Sequence, residues 1–353
     1  MTAKLRVKII SKNTIAGFQL FDLPQFFADK LVFVTDRQAR DYDWLVVYDD
    51  LPPRGDERLS LGEEILACPR ANTALITYEP SSLKFYGDDY IKQFGLVLTS
   101  QGVDYLAHDG RRDMPPVGFW YYGGMAQLAE NDQVPEKTGL ISMFGSPKAE
   151  KFTLHQRRAE FLVELADALG EQVDVFGKGH RWVEHKAEGI DAYRYHIAVE
   201  NHIGPHHWTE KLSDAFLGYS LPFYVGCSNA ADYFPEDSFI ALDIRDTQET
   251  LARIRQAVAD NEYERRLPAI IEARRRVLED YNLGNMVAGH ILAAQEDTAR
   301  VALPVGAKNQ NRLLSRHATM RQGLGVFLRY ALGKRAARRQ GRRFYADYLA
   351  GRG

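Results

Sequence analysis

At 353 residues the chain is long for one domain and sufficient for two, and 45% hydrophobic with 26% charged residues is typical of a globular protein. No run of eighteen apolar residues occurs, and the N-terminal segment lacks the apolar core of a signal peptide, so the sequence predicts neither a membrane-spanning helix nor a secretory signal. Two cysteines, Cys68 and Cys227, are too few for a disulfide framework or a multi-cysteine metal site. A reducing cytoplasm is the expected location.

Charge is distributed unevenly along the chain. The net charge is −2, yet residues 308–353 contain twelve Lys and Arg and a single Asp. This basic tail therefore carries +11, and the rest of the chain is near −13. An acidic body with a basic tail indicates that the tail meets something anionic.

Short apolar runs rich in β-branched residues alternate with turn signals in the first half of the chain. These runs predict buried strands over 44–48, 73–78, 94–100 and 139–146. Segments that contain Gly and Pro predict loops over 52–57 and 110–116.

The second half shows the same alternation of strand and helix signals. Apolar spacing predicts a helix over 149–170, and a second helix over 209–219 has Thr209 as its N-cap. Further strands are expected over 173–177, 195–201, 221–226 and 238–243, followed by charged helices over 247–296. The pattern predicts two Rossmann-like α/β domains, over 1–147 and 148–300, with ligands at the carboxyl ends of strands, and a basic amphipathic tail over 301–353.

The segment VENHIGPHHWTEKL, residues 199–212, concentrates groups that could hold a ligand. His202, His206 and His207 suggest a metal, but no HExxH or similar pattern with a carboxylate at ligand spacing is present. Histidines in a Gly-Pro loop are more often plain surface residues. The sequence therefore predicts no metal site here.

A cradle for a charged ligand fits this segment better. Glu200 and Asn201 end a predicted strand, where an α/β sheet presents its ligand groups. Thr209, Glu210 and Lys211 then begin a helix, whose free N–H groups and positive dipole end favour phosphate. Lys211 adds a positive charge, and Glu210 suits hydroxyl groups, so a nucleotide sugar fits both. The same spacing also fits a plain helix start with Lys211 on a wet face.

The order of several blocks resembles a known family. YRYHIAVEN (193–201), WTEKL (208–212), LPFYVG (221–226) and SFI (238–240) are similar to the donor-binding signature of family 10 glycosyltransferases, the α1,3/4-fucosyltransferases. Upstream, RRAEFLVELADALGEQVDVFGKG resembles that family's arginine-bearing helix and the strand after it. Relative to the signature, Val199 replaces Phe, His207 replaces Tyr, and Trp208 replaces Val.

The resemblance implies a GT-B enzyme, with two Rossmann-like domains facing a cleft, that transfers L-fucose from GDP-fucose to a glycan with inversion. Arg158 and Lys211 would then neutralise the pyrophosphate, with Arg157 a competitor for the arginine role. Glu210 would hold fucose hydroxyls. The remaining donor-binding residues that the resemblance implies are Glu200, Asn201, His207, Thr209 and Gly226.

An inverting displacement needs a base for the acceptor hydroxyl. The segment LITYEPSS places Glu79 just after a predicted strand, and it resembles the family block whose glutamate has that role. The alternative is a solvent-facing turn glutamate. No cofactor is required in this scheme, although a divalent cation could stimulate the reaction.

Two other features are interpreted as structural. The sequence DYD at Asp41–Asp43 matches the DxD motif of metal-dependent GT-A enzymes, but it precedes a strand instead of following one, and a polar loop is expected. Cys227 has no evident partner base, so packing is its expected role.

The basic tail leaves alternatives open. One face of the predicted tail helix carries the apolar residues Leu324, Phe327, Leu328, Ala331 and Leu332. Because basic residues lie beside this face, the tail is expected to dock peripherally on the anionic inner membrane. Alternatively the tail packs on the acidic body.

The expected acceptor is a surface polysaccharide or lipopolysaccharide of the bacterial type. Two competing functions remain open. One is the same chemistry with another nucleotide-activated sugar, and the other is a non-catalytic protein that binds nucleic acid through its basic tail. The enzyme is favoured over the second of these, so no nucleic-acid partner is expected.

Overall fold

The computed structural model describes residues 3–12, 23, 25–55, 57–116, 128, 133–145, 154–297 and 311–352. The chain divides into two compact units. The first unit comprises Met1–Gly118 and Asn282–Gln340, and the second unit comprises Phe119–Tyr281 and Gly341–Gly353. Each contains its own parallel sheet with helices, so the predicted α/β class is confirmed.

Seven short strands precede the second unit: β1 (Leu5–Ser11), β2 (Leu31–Val34), β3 (Trp44–Tyr48), β4 (Glu63–Ile65), β5 (Thr73–Ile76), β6 (Leu96–Thr99) and β7 (Arg111–Asp113). Six of them form a parallel sheet in the order β2-β1-β3-β5-β6-β7, and β4 pairs antiparallel with β13 (Arg312–Leu314). All residues of β3, β5 and β6 are buried, as expected for parallel strands covered on both faces.

The helices of the described chain are α1 (Asp88–Ile91), α2 (Leu154–Leu169), α3 (Glu210–Leu217), α4 (Thr247–Ala259), α5 (Glu262–Leu278), α6 (Leu283–Glu296), α7 (Arg316–Met320) and α8 (Leu324–Leu349). The second unit has a five-stranded parallel sheet in the order β12-β11-β10-β8-β9, from β8 (Gly139–Phe144), β9 (Val173–Phe176), β10 (Tyr193–Gly204), β11 (Leu221–Cys227) and β12 (Ile240–Ala241). Helix α2 buries the apolar residues that predicted it: Phe161, Leu162, Leu165 and Leu169.

The loop predicted over 110–116 is wrong in part. Arg111–Asp113 forms the edge strand β7, and Arg111 pairs with Val97 of β6. An edge strand is held on one side by backbone hydrogen bonds, so it needs no run of apolar side chains. The charged sequence therefore gave no strand signal.

Helix α6 belongs with the first unit, whereas the expected boundary at residue 300 places it in the second domain. The Asn285 side-chain oxygen accepts a hydrogen bond from the Phe26 N–H at 3.0 Å. The Trp44 indole donates to Gln295 at 3.2 Å. These contacts join segments more than 200 residues apart in the chain, and local sequence patterns cannot predict them.

The basic tail forms a long helix with two different faces. Residues 301–310 of the expected tail lie outside the described residues. In α8 a buried stripe includes Ala337 and Tyr345, whereas Leu324 and Leu332 are 73% and 66% exposed. Among the described residues, no helix combines the length and apolar composition needed to cross a membrane.

Candidate functional site

The site in the second unit begins at an irregularity where β10 ends. Strands β10 and β11 pair in register as far as Val199, and the pairing resumes at Gly204. Between these points four residues of β10 lie beside the single residue Gly226 of β11, so β10 bulges. A β-carbon at Gly226 would lie 2.4 Å from Cγ of Glu200. Glycine at this position therefore makes room for the Glu200 side chain.

Glu200 connects the end of β10 to the start of α3. Its carboxylate is fully buried and accepts hydrogen bonds from the Thr209 N–H at 2.8 Å and from the Thr209 hydroxyl at 2.7 Å. The Thr209 oxygen in turn accepts from the Lys211 N–H at 3.3 Å, which confirms Thr209 as the N-cap. Glu200 thus positions the helix start instead of facing solvent.

Lys211 lies between two carboxylates. Its ammonium group is 2.9 Å from Glu210 and 3.5 Å from Glu200. Burial alone would raise the pKa of Glu210, but Lys211 and Lys186 outweigh it and lower that pKa to about 2. Burial would lower the pKa of Lys211, but Glu210 and Glu200 raise it above its usual value. At neutral pH Glu210 and Lys211 are therefore both ionised.

Glu200 behaves differently from Glu210. Burial raises the pKa of Glu200, and the nearby Lys211 charge opposes this effect. Burial also lowers the pKa of Arg158, with Glu200 and Glu210 acting in the opposite direction. The four charged groups thus form one electrostatic cluster at the carboxyl end of β10.

The structure separates the two candidate arginines. Arg157 donates to Glu164 at 2.8 Å, to Thr247 at 2.8 Å and to the Ile244 carbonyl at 2.9 Å. It therefore braces α2 against the start of α4. Arg158 instead donates through Nε to the Val199 carbonyl at 2.7 Å.

No other hydrogen bond of Arg158 occurs among the described residues. Its terminal guanidinium nitrogens are consequently available for a ligand, whereas those of Arg157 donate to Glu164 and Thr247. A guanidinium with free donors suits a phosphate group. Of the two residues, Arg158 has the geometry expected for ligand binding.

Asn201, the residue after Glu200 in β10, has a buried acceptor. Its side-chain oxygen is buried, and it has no hydrogen-bond partner within the described part of the chain. A buried polar atom without a partner is costly, so such an atom is a candidate for contact with a ligand or water.

The expectation that the histidines are plain surface residues is wrong. His207 is 1% exposed, and its ring lies 4.9 Å from that of His202. His202 in turn shares a 2.5 Å hydrogen bond with the Tyr345 hydroxyl. Burial lowers the pKa of His202 to about 4, so its ring is neutral at pH 7. The contact that buries it comes from the far end of the chain and left no local signal.

An open cleft of about 550 Å³ lies at the carboxyl ends of β11 and β12. Gly226 lines this cleft, and the Glu200 side chain packs against Gly226, but the lining includes none of Arg158, Glu200, Glu210 and Lys211. Its ring and cationic side chains were not identified from the sequence: Tyr224, Phe239, Arg253, Arg266 and Tyr348. Phe239 lies at the amino start of the SFIALD strand, whereas ligand groups are expected at carboxyl ends, so the strand pattern did not indicate it. Nothing local indicated Tyr348.

Glu79 lies in the first unit, three residues after β5, and is half-buried. Gln101 donates to its main-chain carbonyl at 2.8 Å, and also to that of Lys84 at 3.1 Å. The loop that carries Glu79 is thus fixed at the carboxyl edge of the sheet. Nearby, Asp49 accepts hydrogen bonds from Lys84 at 2.5 Å and from the Tyr86 hydroxyl at 2.6 Å. Asp49 is therefore occupied by two donors.

Two smaller predictions concern metals and thiols. Within the described ranges, no group of three or more His, Cys, Asp or Glu could hold a metal ion. Asp41 and Asp43 precede β3, and both contact Arg6 in a polar loop, as expected. Cys227 is buried, and burial raises its pKa to about 11, which agrees with a packing role.

Comparison with known proteins finds a family match within the second unit. Residues 134–266 match the family model "Glycosyltransferase family 10 (fucosyltransferase) C-term". Human 4-galactosyl-N-acetylglucosaminide 3-alpha-L-fucosyltransferase FUT6 is 32% identical over 90 residues, which are 24% of this chain and 25% of that protein. The chimpanzee fucosyltransferase 9 is 28% identical over 134 residues, or 36% of each chain. The matches thus span about a quarter to a third of these relatives.

Solved structures show a similar fold over most of the chain. A crystal structure of an alpha1,3-fucosyltransferase aligns with a TM-score of 0.51 at 17% identity, covering 86% of this chain and 93% of that one. An alpha-glucosyltransferase in complex with UDP-glucose and DNA aligns with a TM-score of 0.52 at 9% identity, covering 82% and 100%. These similarities support the GT-B fold class.

Proposed function

We propose that this chain, which belongs to glycosyltransferase family 10 through residues 134–266, transfers L-fucose from GDP-fucose to a hydroxyl group of a glycan. One observation carries the proposal most directly. The region matched by the family contains Arg158, Glu210 and Lys211, which belong to one charged cluster at the carboxyl end of β10, in the unit that also has an open cleft. A cluster with both signs of charge suits a ligand that has phosphates and hydroxyls side by side.

The donor would bind through complementary charges. Lys211 and the free guanidinium nitrogens of Arg158 would hold the pyrophosphate. Glu210, which remains ionised, would accept hydrogen bonds from sugar hydroxyls. The buried oxygen of Asn201 would find its missing partner in the donor. A cleft of about 550 Å³ falls in the usual size range for small-molecule sites, roughly 300–1,000 Å³.

The reaction would proceed by inverting displacement. The acceptor oxygen would attack C1 of fucose as the bond from C1 to the phosphate oxygen breaks, and GDP would leave with that electron pair. Glu79 would take the proton from the acceptor hydroxyl. Its position after β5 supports this role, because ligand groups gather at the carboxyl edge of a parallel sheet.

The leaving group would be stabilised by fixed positive charge and needs no obligatory metal. Lys211 is held as a cation by its two carboxylates, and Arg158 is already oriented by its bond to the Val199 carbonyl. Charges fixed before the reaction stabilise a developing anion without reorganisation. We expect turnover to persist in a metal chelator, with at most a stimulation by added divalent cations.

The acceptor would be a glycan of the surface polysaccharide or lipopolysaccharide type. An alternative keeps the same inverting chemistry with another nucleotide-activated sugar, because the cluster recognises phosphates and hydroxyls that many donors share. His207 supports this alternative, since it departs from the tyrosine of the family signature beside the donor.

A panel of nucleotide sugars tests the proposal. Calorimetry with the full chain should show GDP and GDP-fucose binding at micromolar to low millimolar concentrations, and GDP-fucose should be the donor that is consumed with a glycan acceptor. Stronger binding of a UDP-sugar than of any GDP-sugar would support the alternative donor. Absence of binding to every nucleotide sugar would contradict the enzyme.

The exposed face of α8 supports peripheral attachment to the anionic cytoplasmic face of the inner membrane. Leu324 is 73% exposed and Leu332 is 66% exposed, and the basic residues Arg335, Arg338 and Arg339 are exposed on the same helix. Exposed apolar residues beside basic ones suit an anionic lipid surface. A nucleic acid backbone would use the charge but would leave these leucines in water. We therefore propose no nucleic-acid partner.

A further inference from the structure

The end of the C-terminal helix reaches the donor side of the second unit. Residues 341–353 belong to this unit, although almost 60 residues separate them from its other segment. Tyr345 is 4% exposed, and Tyr348 lines the cleft. The last turns of α8 are thus part of the wall of the proposed donor site.

Tyr345 attaches this segment to the end of β10. Its hydroxyl shares a 2.5 Å hydrogen bond with Nδ1 of His202, and the two rings meet edge to face at 6.0 Å. The His202 ring also meets His207 edge to face at 4.9 Å. His202 lies two residues after Glu200, and His207 lies two residues before Thr209. The attachment therefore reaches both sides of the loop that joins β10 to the capped helix α3.

Tyr348 occupies a polar and aromatic environment at the cleft. The Arg245 guanidinium lies 4.9 Å from the centre of its ring. Arg245 is itself fixed by a 2.6 Å ion pair with Asp243, two residues after β12. The cleft lining includes Phe239, Arg253 and Arg266, and also the acidic Glu236 and Asp237; Asp237 pairs with Arg266 at 3.3 Å. Planar rings beside cations provide the two features that a nucleoside diphosphate requires, a stacking surface and positive charge.

We propose that residues 341–349 complete the donor site, with Tyr348 as a binding residue for the nucleotide and Tyr345 as the residue that positions this segment. The inference rests on the proposed function for the nature of the ligand. Its consequence is that nucleotide affinity depends on the C-terminal helix, a segment outside residues 134–266, the region that the family model covers.

The test uses the full chain and calorimetry with GDP. Tyr348→Ala should raise the Kd for GDP about tenfold, and Tyr348→Phe should leave it within about twofold, because the ring is retained. Phe327→Ala is the matched control: it removes an exposed aromatic ring from the same helix, and Phe327 is not among the residues that line the cleft. Its Kd should equal that of the parent.

A second measurement separates binding from folding. Tyr345→Phe removes only the hydroxyl, and it should increase amide hydrogen exchange in residues 200–206 while raising the Kd for GDP severalfold. A lower melting temperature of Tyr348→Ala with an unchanged Kd would show that Tyr348 only braces the fold, and this would overturn the inference. Unchanged exchange in Tyr345→Phe would overturn the role of Tyr345.

The parent protein reports on the proposed function separately. If the parent bound UDP better than GDP, the donor assignment would fall, and the ratio of UDP affinities between Tyr348→Ala and the parent would still test the inference. If the parent bound no nucleoside diphosphate at all, the proposed function and the nucleotide role of Tyr348 would both be overturned. The exchange measurement would then decide the positioning role of Tyr345 by itself.

Discussion

Arg157 and Arg158 are adjacent in sequence, but their side chains have different partners. Arg157 is fixed by the Glu164 carboxylate and the Thr247 hydroxyl, whereas the hydrogen bond of Arg158 within the described residues is to the Val199 carbonyl. At the scale of single residues, the direction of a side chain from its helix decides its role. Neighbouring residues on a helix point about 100° apart, so Arg157 braces α2 against α4 whereas Arg158 belongs to the charged cluster.

Substitution of each arginine should separate these roles. Arg158→Ala should raise the Kd for GDP tenfold or more with little change in melting temperature, because it removes the residue proposed to bind phosphate. Arg157→Ala should lower the melting temperature by several degrees with little change in Kd, since it removes the brace between α2 and α4. Calorimetry and thermal unfolding of both variants check this. Exchanged phenotypes would reassign the phosphate role to Arg157.

Glu79→Gln should lower turnover by about 10² or more with donor affinity nearly unchanged, because glutamine keeps the shape but cannot accept the acceptor proton. Initial rates with GDP-fucose and acceptor, together with calorimetry for GDP, measure both quantities. Near-normal turnover would exclude Glu79 as the base. Asp49 is a weaker replacement, since Lys84 and Tyr86 already donate to it.

Asp214, on the helix α3 that also carries Glu210 and Lys211, provides a test of buried charge. It is 1% exposed and accepts a 3.0 Å hydrogen bond from Lys186, and burial raises its pKa from 3.8 to about 6. The folded state therefore binds this proton more tightly than the unfolded chain does. The resulting stabilisation is complete below about pH 4 and is lost as the pH rises through about 6, a change of about 3 kcal/mol.

Asn cannot titrate, so Asp214→Asn should lack this loss. The free energy of unfolding of the variant, minus that of the parent, should rise between pH 4 and pH 7 by about 3 kcal/mol. Urea unfolding at several pH values measures the difference. A difference independent of pH would mean that the Asp214 pKa is the same in the folded and unfolded states.

At the scale of elements, the site is a joint between a strand and a helix. Strand β10 ends in a bulge that Gly226 allows, and α3 begins at a threonine whose donors satisfy the buried Glu200. The bulge directs Glu200 inward, and the helix start places Glu210 and Lys211 at the same edge. Neither element alone would assemble the cluster.

Thr209→Ala tests this joint. It removes the N-cap, which contributes about 1 kcal/mol, and leaves the buried Glu200 carboxylate without its hydroxyl donor, which costs a further 1–3 kcal/mol or so. We expect a total loss of about 2–4 kcal/mol in denaturant unfolding and weaker GDP binding. Thr209→Ser is the control, since serine keeps the hydroxyl, and it should retain most of the stability. A similar loss in both variants would show that the methyl group matters more than the hydroxyl.

At the scale of the whole molecule, charge and apolar exposure are concentrated on one helix. The last 46 residues carry +11 in a chain of net −2. Part of this charge is used within the protein, as in the ion pair of Arg329 with Asp89 at 3.0 Å. Both alternatives for the tail therefore have support: one stripe of α8 is buried, and another stripe remains exposed.

Vesicle sedimentation tests attachment without removing structural residues. Full-length protein should pellet with anionic vesicles at low salt, and the triple variant R335Q, R338Q, R339Q should pellet much less, because each basic residue contributes about 1 kcal/mol near an anionic bilayer. A second variant with the same change in net charge is the control, K4Q, K30Q, R58Q, since these residues are exposed in the first unit. Equal pelleting of the two variants would exclude α8 as the specific anchor.

The sequence by itself determined the local elements of the second unit. Strands β8 to β11 and helix α2 follow directly from apolar spacing, and the cap at Thr209 follows from the preference of a helix start for a side-chain oxygen. These signals work because each depends on residues within one or two turns of each other. The α/β class follows from their alternation.

The tertiary structure alone decided three matters. It placed β7 at the edge of a sheet although its sequence has no apolar run. It also assigned α6 to the first unit, whereas the sequence had predicted it in the second domain. It also brought Tyr345 to His202, over a separation of 143 residues. Each depends on contacts between distant segments, whose partners no local pattern specifies. For the same reason the sequence named Arg158, Glu210 and Lys211 as candidate site residues but not Tyr348, which lines the cleft.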